Sequence, residues 1–309
     1  MHITDLFATH ATTFSLEFFP PRTPEASDRL HQTIADLVTL KPTFVSVTYG
    51  ADGSTRQLTH DLVVRLMASS AVPAVPHLTC VCHTREQIDQ ILEHYAAHGV
   101  GNLLALAGDP PRGMLNHSRP RDAFAHAIDL VRFIREFNAS GRHPDRRGFG
   151  IGVAGFPEGH PATPNRLIEL DHLKAKVDAG ADYICTQLFF DNHEFIDFRE
   201  RCDLAGINVP IIAGIMPVTS VSTLSRMAEL AGGTRYPAPL LRAIKQASSQ
   251  GGDGAVAQVG IEWATRQCTD LLRQQVRGIH FYTLNQSDAT KRIYTNLGTA
   301  ARPSLAKAS

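Results

Sequence analysis

Residues 14–48 read FSLEFFPPRTPEASDRLHQTIADLVTLKPTFVSVT, and the pattern in this stretch recurs along the whole chain. The run 14–18 (FSLEF) is short, apolar and aromatic, as a buried parallel strand is. Thr23 can accept a backbone N–H at a helix start, and Pro24 suits the first helical position, where its missing N–H costs nothing. Leu30, Ile34, Leu37 and Val38 then form one apolar face to pack on a sheet, and a β-branched run, 43–48 (TFVSVT), follows. Further strand-like runs lie at 74–80 (AVPHLTC), 102–107 (NLLALA), 149–155 (FGIGVAG), 182–188 (DYICTQL), 209–214 (VPIIAG) and 277–283 (RGIHFYT). Between the third and fourth, Thr84 and Gln87 have capping-box spacing, Ile88, Ile91, Leu92 and Tyr95 form a stripe, and Gly99 is placed to end the helix in a left-handed conformation, as Gly180 and Gly206 do later.

Eight strand–helix repeats leave a closed (β/α)8 barrel or a doubly wound open sheet. No G-x-G-x-x-G follows the first strand, which favours the barrel: α/β, a single (β/α)8 TIM barrel over residues 1–309, with an ordered core of about 3–298. A short C-terminal helix is expected at 287–297, with a frayed tail after Pro303. The segments 109–121 and 232–253 read as long loops, and 249–254 (SQGGDG) as a flexible one.

The 30 basic side chains equal the 30 acidic ones, and no basic run marks a nucleic-acid or membrane surface. The expected partners are small molecules, with a homo-oligomer left open. Cys80, Cys82, Cys185, Cys202 and Cys268 are scattered and lack a C-x-x-C pair, so reduced packing thiols and a cytoplasmic location are expected. The start of the chain carries Asp5 and no apolar targeting core, and no apolar run is long enough to span a membrane.

Chemistry in a barrel gathers at the C-terminal ends of the strands. Those ends offer Glu17, Thr48, His77 with Thr79, Asp109, Glu158 with His160, Gln187 and Asn285. Glu17 precedes Phe18, Phe19, Pro20 and Pro21, whose side chains are expected to desolvate it and raise its pKa, making it a general acid near neutral pH. The competing reading pairs a buried Glu17 with Arg22. Asp109, in GDPPRG, serves equally well as a turn aspartate. His77, His160 and His280 lack metal-ligand spacing and read as core or cofactor-contacting histidines, so no metal is expected; Met227 reads as core.

The motifs FSLEFFPPR, KPTFVSVTYGA, PHLTC, ALAGDPPRG, GFPEGHP, KVDAGADYICTQLFFD, GIMPVTS and HFYTLN together resemble the methylenetetrahydrofolate reductases, in order, across about residues 3–298. The resemblance implies an oxidoreductase of one-carbon metabolism and methionine biosynthesis. NADH or NADPH would reduce FAD and leave, and 5,10-methylenetetrahydrofolate would then be reduced to 5-methyltetrahydrofolate. It implies that Glu17 is the general acid that opens the folate's five-membered ring. Asp109 would lie beside flavin and pterin, and Gln187 would bond the pterin or the nicotinamide. FAD contacts would include Thr48, Tyr49, Ala51, His77, Gly108, Ala127, His160, Glu169, His172 and Lys176, the last serving the pyrophosphate; Thr48 would also meet substrate. The chain departs from the family pattern at Ala107, where a basic residue is usual and Arg112 is the candidate substitute, and at His126, Phe156, Met227 and Gln286. These departures bear on flavin affinity and on binding of the folate tail. The alternatives are a folate- or flavin-binding barrel with little turnover, direct hydride transfer from nicotinamide without flavin, and a glycoside hydrolase using Glu17 and Asp109, against which the single Trp argues.

Overall fold

A computed structural model describes residues 1–49, 56–69, 71–109 and 123–298. Eight parallel strands, β1 (Thr13–Phe18), β2 (Phe44–Val47), β3 (Ala74–Thr79), β4 (Asn102–Leu106), β5 (Gly150–Gly155), β6 (Tyr183–Thr186), β7 (Ile211–Ile215) and β8 (Gly278–Tyr282), close into a barrel in chain order. Closure pairs β8 with β1, placing Ser15 opposite His280 and Glu17 opposite Tyr282. The strands are those expected from the sequence, with ends moved by one or two residues.

The helices are α1 (Ile3–Thr9), α2 (Pro24–Val38), α3 (Arg56–Ser69), α4 (Arg85–Ala97), α5 (Ala127–Ala139), α6 (Arg166–Asp178), α7 (Asn192–Leu204), α8 (Val221–Leu230), α9 (Ala238–Arg273) and α10 (Asp288–Leu297). Their ends follow local chemistry. Thr23 accepts the Ala26 N–H with Pro24 in the first turn, and Thr84 and Gln87 cap α4 reciprocally. Gly99, Gly180 and Gly206 end α4, α6 and α7 at φ of +73°, +113° and +72°.

The strand period of two divides the barrel wall into two faces. Phe14, Leu16, Phe18, Val45, Val47, Leu103, Ile151, Val153 and Phe281 turn outward and are buried with the apolar stripes of the helices, each large side chain contributing ~1.5–3 kcal/mol. Phe44, Val75, Leu104, Tyr183, Cys185 and Ile212 turn inward and pack with Ile3, Leu6 and Phe7 of α1. This helix, which the sequence reading missed, plugs the bottom of the barrel. The Phe7 ring lies 5.7 Å from Tyr183, the Ile3 N–H donates to Asn102 Oδ1 at 2.6 Å, and Arg277 Nη2 donates to the Phe7 carbonyl at 2.6 Å. The sealed bottom leaves the C-terminal mouth as the place for a site.

The expected loop at 232–253 is a correction. Residues from Ala238 onward are helical, and within SQGGDG only Gly251 and Gly252 depart from helical backbone, forming a kink that joins two helices labelled together as α9. Buried Leu240, Ile244 and Ala247 before the kink and Val256, Ile261 and Ala264 after it hold the two halves in place, while the glycines supply the break between them. The expected loop 109–121 lies, beyond Asp109, outside the described residues.

Two glycines of α9 make opposite predictions. A Cβ on Gly260 would lie 1.8 Å from the Val218 carbonyl oxygen, whereas one on Gly254 meets nothing within 4 Å. Gly260→Ala should lower the unfolding free energy by at least ~1–3 kcal/mol. Gly254→Ala should leave it unchanged or raise it by up to ~1 kcal/mol. Urea titrations of both variants check the pair.

Candidate active site

β1 carries Ser15 and Glu17 inward because Leu16 and Phe18 are drawn outward into the helical layer. The Glu17 side chain is 17% exposed at the mouth, with Oε2 3.4 Å from His77 Nε2 and 3.6 Å from His280 Nε2. His280 is 2% exposed, and its Nδ1 lies 2.8 Å from Ser15 Oγ while Nε2 lies 3.4 Å from Ser46 Oγ. The Thr283 hydroxyl donates to the Glu17 carbonyl at 2.6 Å and fixes the backbone there. Burial holds His77 down to about 4, opposed by Glu17 and reinforced by His280, so this imidazole is neutral at physiological pH. Cys185 and Tyr282 face the same carboxylate; burial pushes both upward, and they stay uncharged.

The surroundings of Glu17 therefore differ from those expected. Phe18 is packed behind the barrel wall, and Phe19 is 37% exposed, with its N–H donated to Asn285 Oδ1 and its carbonyl accepting from Asn285 Nδ2. Imidazoles, not aromatic and imino rings, flank the carboxylate. Among the described residues its ion-pair contacts are the two histidines, and Arg22 is not one of them.

Those of the other sequence-selected residues that the structure describes lie at different depths. Thr48 is half-buried and its N–H donates to the Phe18 carbonyl at 2.9 Å. His83, which the sequence reading overlooked, has Nδ1 2.8 Å from the Val81 carbonyl and so donates there, leaving Nε2 to accept the Tyr49 O–H at 2.8 Å. Ala51 and Arg112 lie outside the described residues. Ala107 and Gly108 are half-buried; Gly108 has φ of +78°, and a Cβ there would meet Thr79 and Val81 at 3.0 Å, so only glycine fits without strain. Asp109 is exposed. His126 is exposed, and α5 begins at Ala127.

Phe156 meets His160 edge to face at 4.6 Å. Burial lowers the His160 pKa, Lys176 lowers it further and Asp109 opposes both, which places these three groups within electrostatic reach of one another. Lys176 donates to the Ala154 carbonyl at 2.8 Å, and burial lowers it to about 8 against the attraction of Glu169. Glu169 is itself buried and raised by that burial, while His172, on the same face of α6, is exposed. Gln187 accepts the Leu188 N–H on Oε1 at 2.8 Å, a bond in which its Nε2 takes no part. Gln286 is exposed. Met227 is fully buried beside Leu188, Phe190 and Met216, so it cannot stack on a ligand. Cys80 is buried as expected, but Cys82 is exposed at φ of +61° and is not a packing thiol.

Beside Gln187 a hollow of about 10 Å³ is lined by Phe156, Glu158, Leu188, Gly232 and Thr234. That is room for about one water, far below the ~300 Å³ or more that a whole drug-sized ligand fills. Burial raises Glu158 to about 7, offset by the Arg235 N–H that its Oε2 accepts at 2.9 Å. Among the described residues no group of three or more His, Cys, Asp or Glu side chains could hold a metal ion, and no helix is long and apolar enough to cross a membrane.

The fold is shared with solved structures of low sequence identity. A Clostridium thermocellum protein that binds two copies of 5-methyl-5,6,7,8-tetrahydrofolic acid superposes with a TM-score of 0.65 at 12% identity, covering 97% of this chain and 99% of that one. Sequence relatives are closer. A methylenetetrahydrofolate reductase (NADH) of Arabidopsis thaliana is 40% identical over 296 residues, 93% of this chain and 48% of that one. The 5,10-methylenetetrahydrofolate reductase of Escherichia coli is 36% identical over 291 residues, 94% of this chain and 92% of that one. The chain thus spans about half the length of the plant relatives it matches and nearly all of the bacterial one. A family model of methylenetetrahydrofolate reductase matches residues 2–298. With the barrel, the mouth geometry and these matches in agreement, the chain belongs to the methylenetetrahydrofolate reductase family.

Proposed function

We propose that this protein reduces 5,10-methylenetetrahydrofolate to 5-methyltetrahydrofolate, with NADH as the hydride source and FAD as the carrier. The observation that carries the reading is the Glu17 carboxyl, presented at the barrel mouth with one oxygen against two buried histidines. Breaking the folate's five-membered ring needs a proton on its departing amine nitrogen, and a carboxyl group held in a half-buried position can deliver it. Protonation by Glu17 and cleavage of the carbon–nitrogen bond leave an iminium carbon, the atom that accepts the hydride. Asp109, a carboxylate at the same mouth, stabilises the positive charge that develops there. Gln187, with Oε1 engaged by Leu188, offers its Nε2 donor to the pterin in one half-reaction and to the nicotinamide carboxamide in the other.

The residues present fit a flavin dinucleotide. Lys176 brings a half-buried amine to the mouth, Gly108 lacks the side chain that would close the approach beside Thr79, and the N–H groups at the start of α5 suit an anion. Thr48, Tyr49, His77, His160, Glu169 and His172 would complete the FAD contacts. When bound, FAD would supply the hydride carrier between NADH and the folate. The NADH named for the plant relatives supports that donor here. Ala107 places no cation beside Gly108, and a pyrophosphate there loses a charge-assisted contact.

If Glu17 acts as the proton donor, Glu17→Gln should abolish reduction of methylenetetrahydrofolate by the reduced enzyme, by at least ~10²-fold, while flavin reduction by NADH is largely preserved. Stopped-flow absorbance separates the two half-reactions; equal losses in both would assign Glu17 a structural role. The flavin reading predicts that Ala107→Arg tightens FAD binding and Lys176→Ala weakens it when apoprotein is titrated with FAD. Failure of any of these proteins to bind flavin, with folate still reduced, would favour direct transfer from nicotinamide.

A further inference from the structure

The small hollow beside Gln187 is walled by three connecting segments. Glu158 follows β5, Gln187 and Leu188 follow β6, and Gly232 and Thr234 lie between α8 and α9. Each wall is tied to another. The Thr234 hydroxyl donates to the Leu188 carbonyl at 3.2 Å, the Leu188 N–H donates to Gln187 Oε1 at 2.8 Å, and the Arg235 N–H donates to Glu158 Oε2 at 2.9 Å. Within this frame one acceptor is left over: Glu158 Oε1 is buried and has no hydrogen-bond partner among the described residues. A buried polar atom of this kind is normally met by protein or by ordered water. The hollow, at about 10 Å³, has room for one water, and the Glu158 carboxyl and the Gln187 amide both line it.

We propose that one ordered water in this hollow joins the Glu158 carboxyl to the Gln187 amide, which makes Glu158 a positioning residue for Gln187; the inference rests on the reductase reading above. Among the described residues the Gln187 side chain has its hydrogen bond on Oε1 alone, and its Nε2 has two hydrogens to place. One goes to the water and the other to the ring edge of whichever substrate is bound. The terminal torsion of a glutamine is broad, and a bond at each end of the amide narrows it. The charged and titratable groups that face Glu158 are Arg235 and Tyr236 from the segment before α9, and Asp191 and Glu194 at the start of α7. Arg166 of α6 also donates to the Glu158 carbonyl at 3.2 Å. Burial raises the Glu158 carboxyl to about 7, with the Arg235 N–H opposing the rise and Glu194 adding to it. The ionised form, which dominates above that pH, holds the water by a charge-assisted bond and makes it a better acceptor for the amide.

The test uses the full chain with FAD, measuring how each half-reaction saturates with NADH or with methylenetetrahydrofolate. Glu158→Leu should weaken the apparent affinity for both by ~3–10-fold, the worth of one net hydrogen bond, and leave the limiting rates near wild type. Glu158→Gln keeps a polar partner for the water and for the Arg235 N–H, so it should hold near wild-type affinities. It should also abolish the tightening that the wild type shows as pH rises through about 7, and this comparison answers the question if the leucine variant fails to fold. Gln187→Ala removes the group being positioned, so adding Glu158→Leu to it should cost nothing further. A crystal structure of the wild type should show a water within hydrogen-bond distance of both side chains. Additive losses in the double variant, a pH dependence that survives in Glu158→Gln, or no ordered water in the hollow would overturn the inference. Absence of folate reduction in the wild type would instead overturn the reductase reading, while the crystallographic water still decides whether Glu158 and Gln187 are joined.

Discussion

The carboxylate of Glu17 sits where it does because a parallel strand alternates its side chains and because a closed barrel leaves the inward ones no solvent on the lower side. Leu16 and Phe18 are taken into the apolar layer between sheet and helices, and this forces Ser15 and Glu17 into the barrel lumen. A charged group in that place must be met by polar groups from other strands. β3 supplies His77, β8 supplies His280, and Ser15 and Ser46 satisfy the second histidine from below. The layer beneath is closed by Phe44, Tyr183 and the α1 plug, so the polar cluster communicates only with the mouth.

The mouth divides into regions of different chemistry. On one side, α6 brings Lys176 and Glu169 against the end of β5, with His160 and Asp109 in electrostatic reach, an arrangement suited to a dinucleotide's charged middle. On the other, Gln187 lines a small hollow with Phe156, Glu158 and Thr234. Glu17 is reached from the lumen between them. In the proposed reaction two substrates use one place in turn, so recognition there falls to groups such as the Gln187 amide that can serve either ring system.

Much of this was legible in the sequence because it depends on local pattern. The eight strands, the caps at Thr23 and Thr84, and the terminating glycines all follow from residue types within a few positions of one another. The polar strand ends were likewise legible once a barrel was inferred. What was not legible depends on distance along the chain. The contact between Ser15 and His280 spans 265 positions and exists only through the register of closure. The expectation that Phe18 and Phe19 would enclose Glu17 failed because neighbours in sequence point to opposite faces of a strand. The α1 plug and the two helices that flank the α9 kink were missed for a related reason, since buried tertiary faces decide both and short polar or glycine-rich runs conceal them. Ala107 and Gln286 were visible as departures from the family pattern, and their consequence for ligands is a matter of binding rather than of fold.

The central claim is that this barrel moves a hydride from NADH to a reduced folate through a bound flavin. It is tested most directly by incubating the purified protein with FAD, NADH and 5,10-methylenetetrahydrofolate and quantifying 5-methyltetrahydrofolate by mass spectrometry alongside NADH consumed. The account predicts one 5-methyltetrahydrofolate for each NADH oxidised, with formation lost when FAD is withheld from the apoprotein. Oxidation of NADH with no methylated folate formed, or unchanged product formation by flavin-free protein, would contradict it.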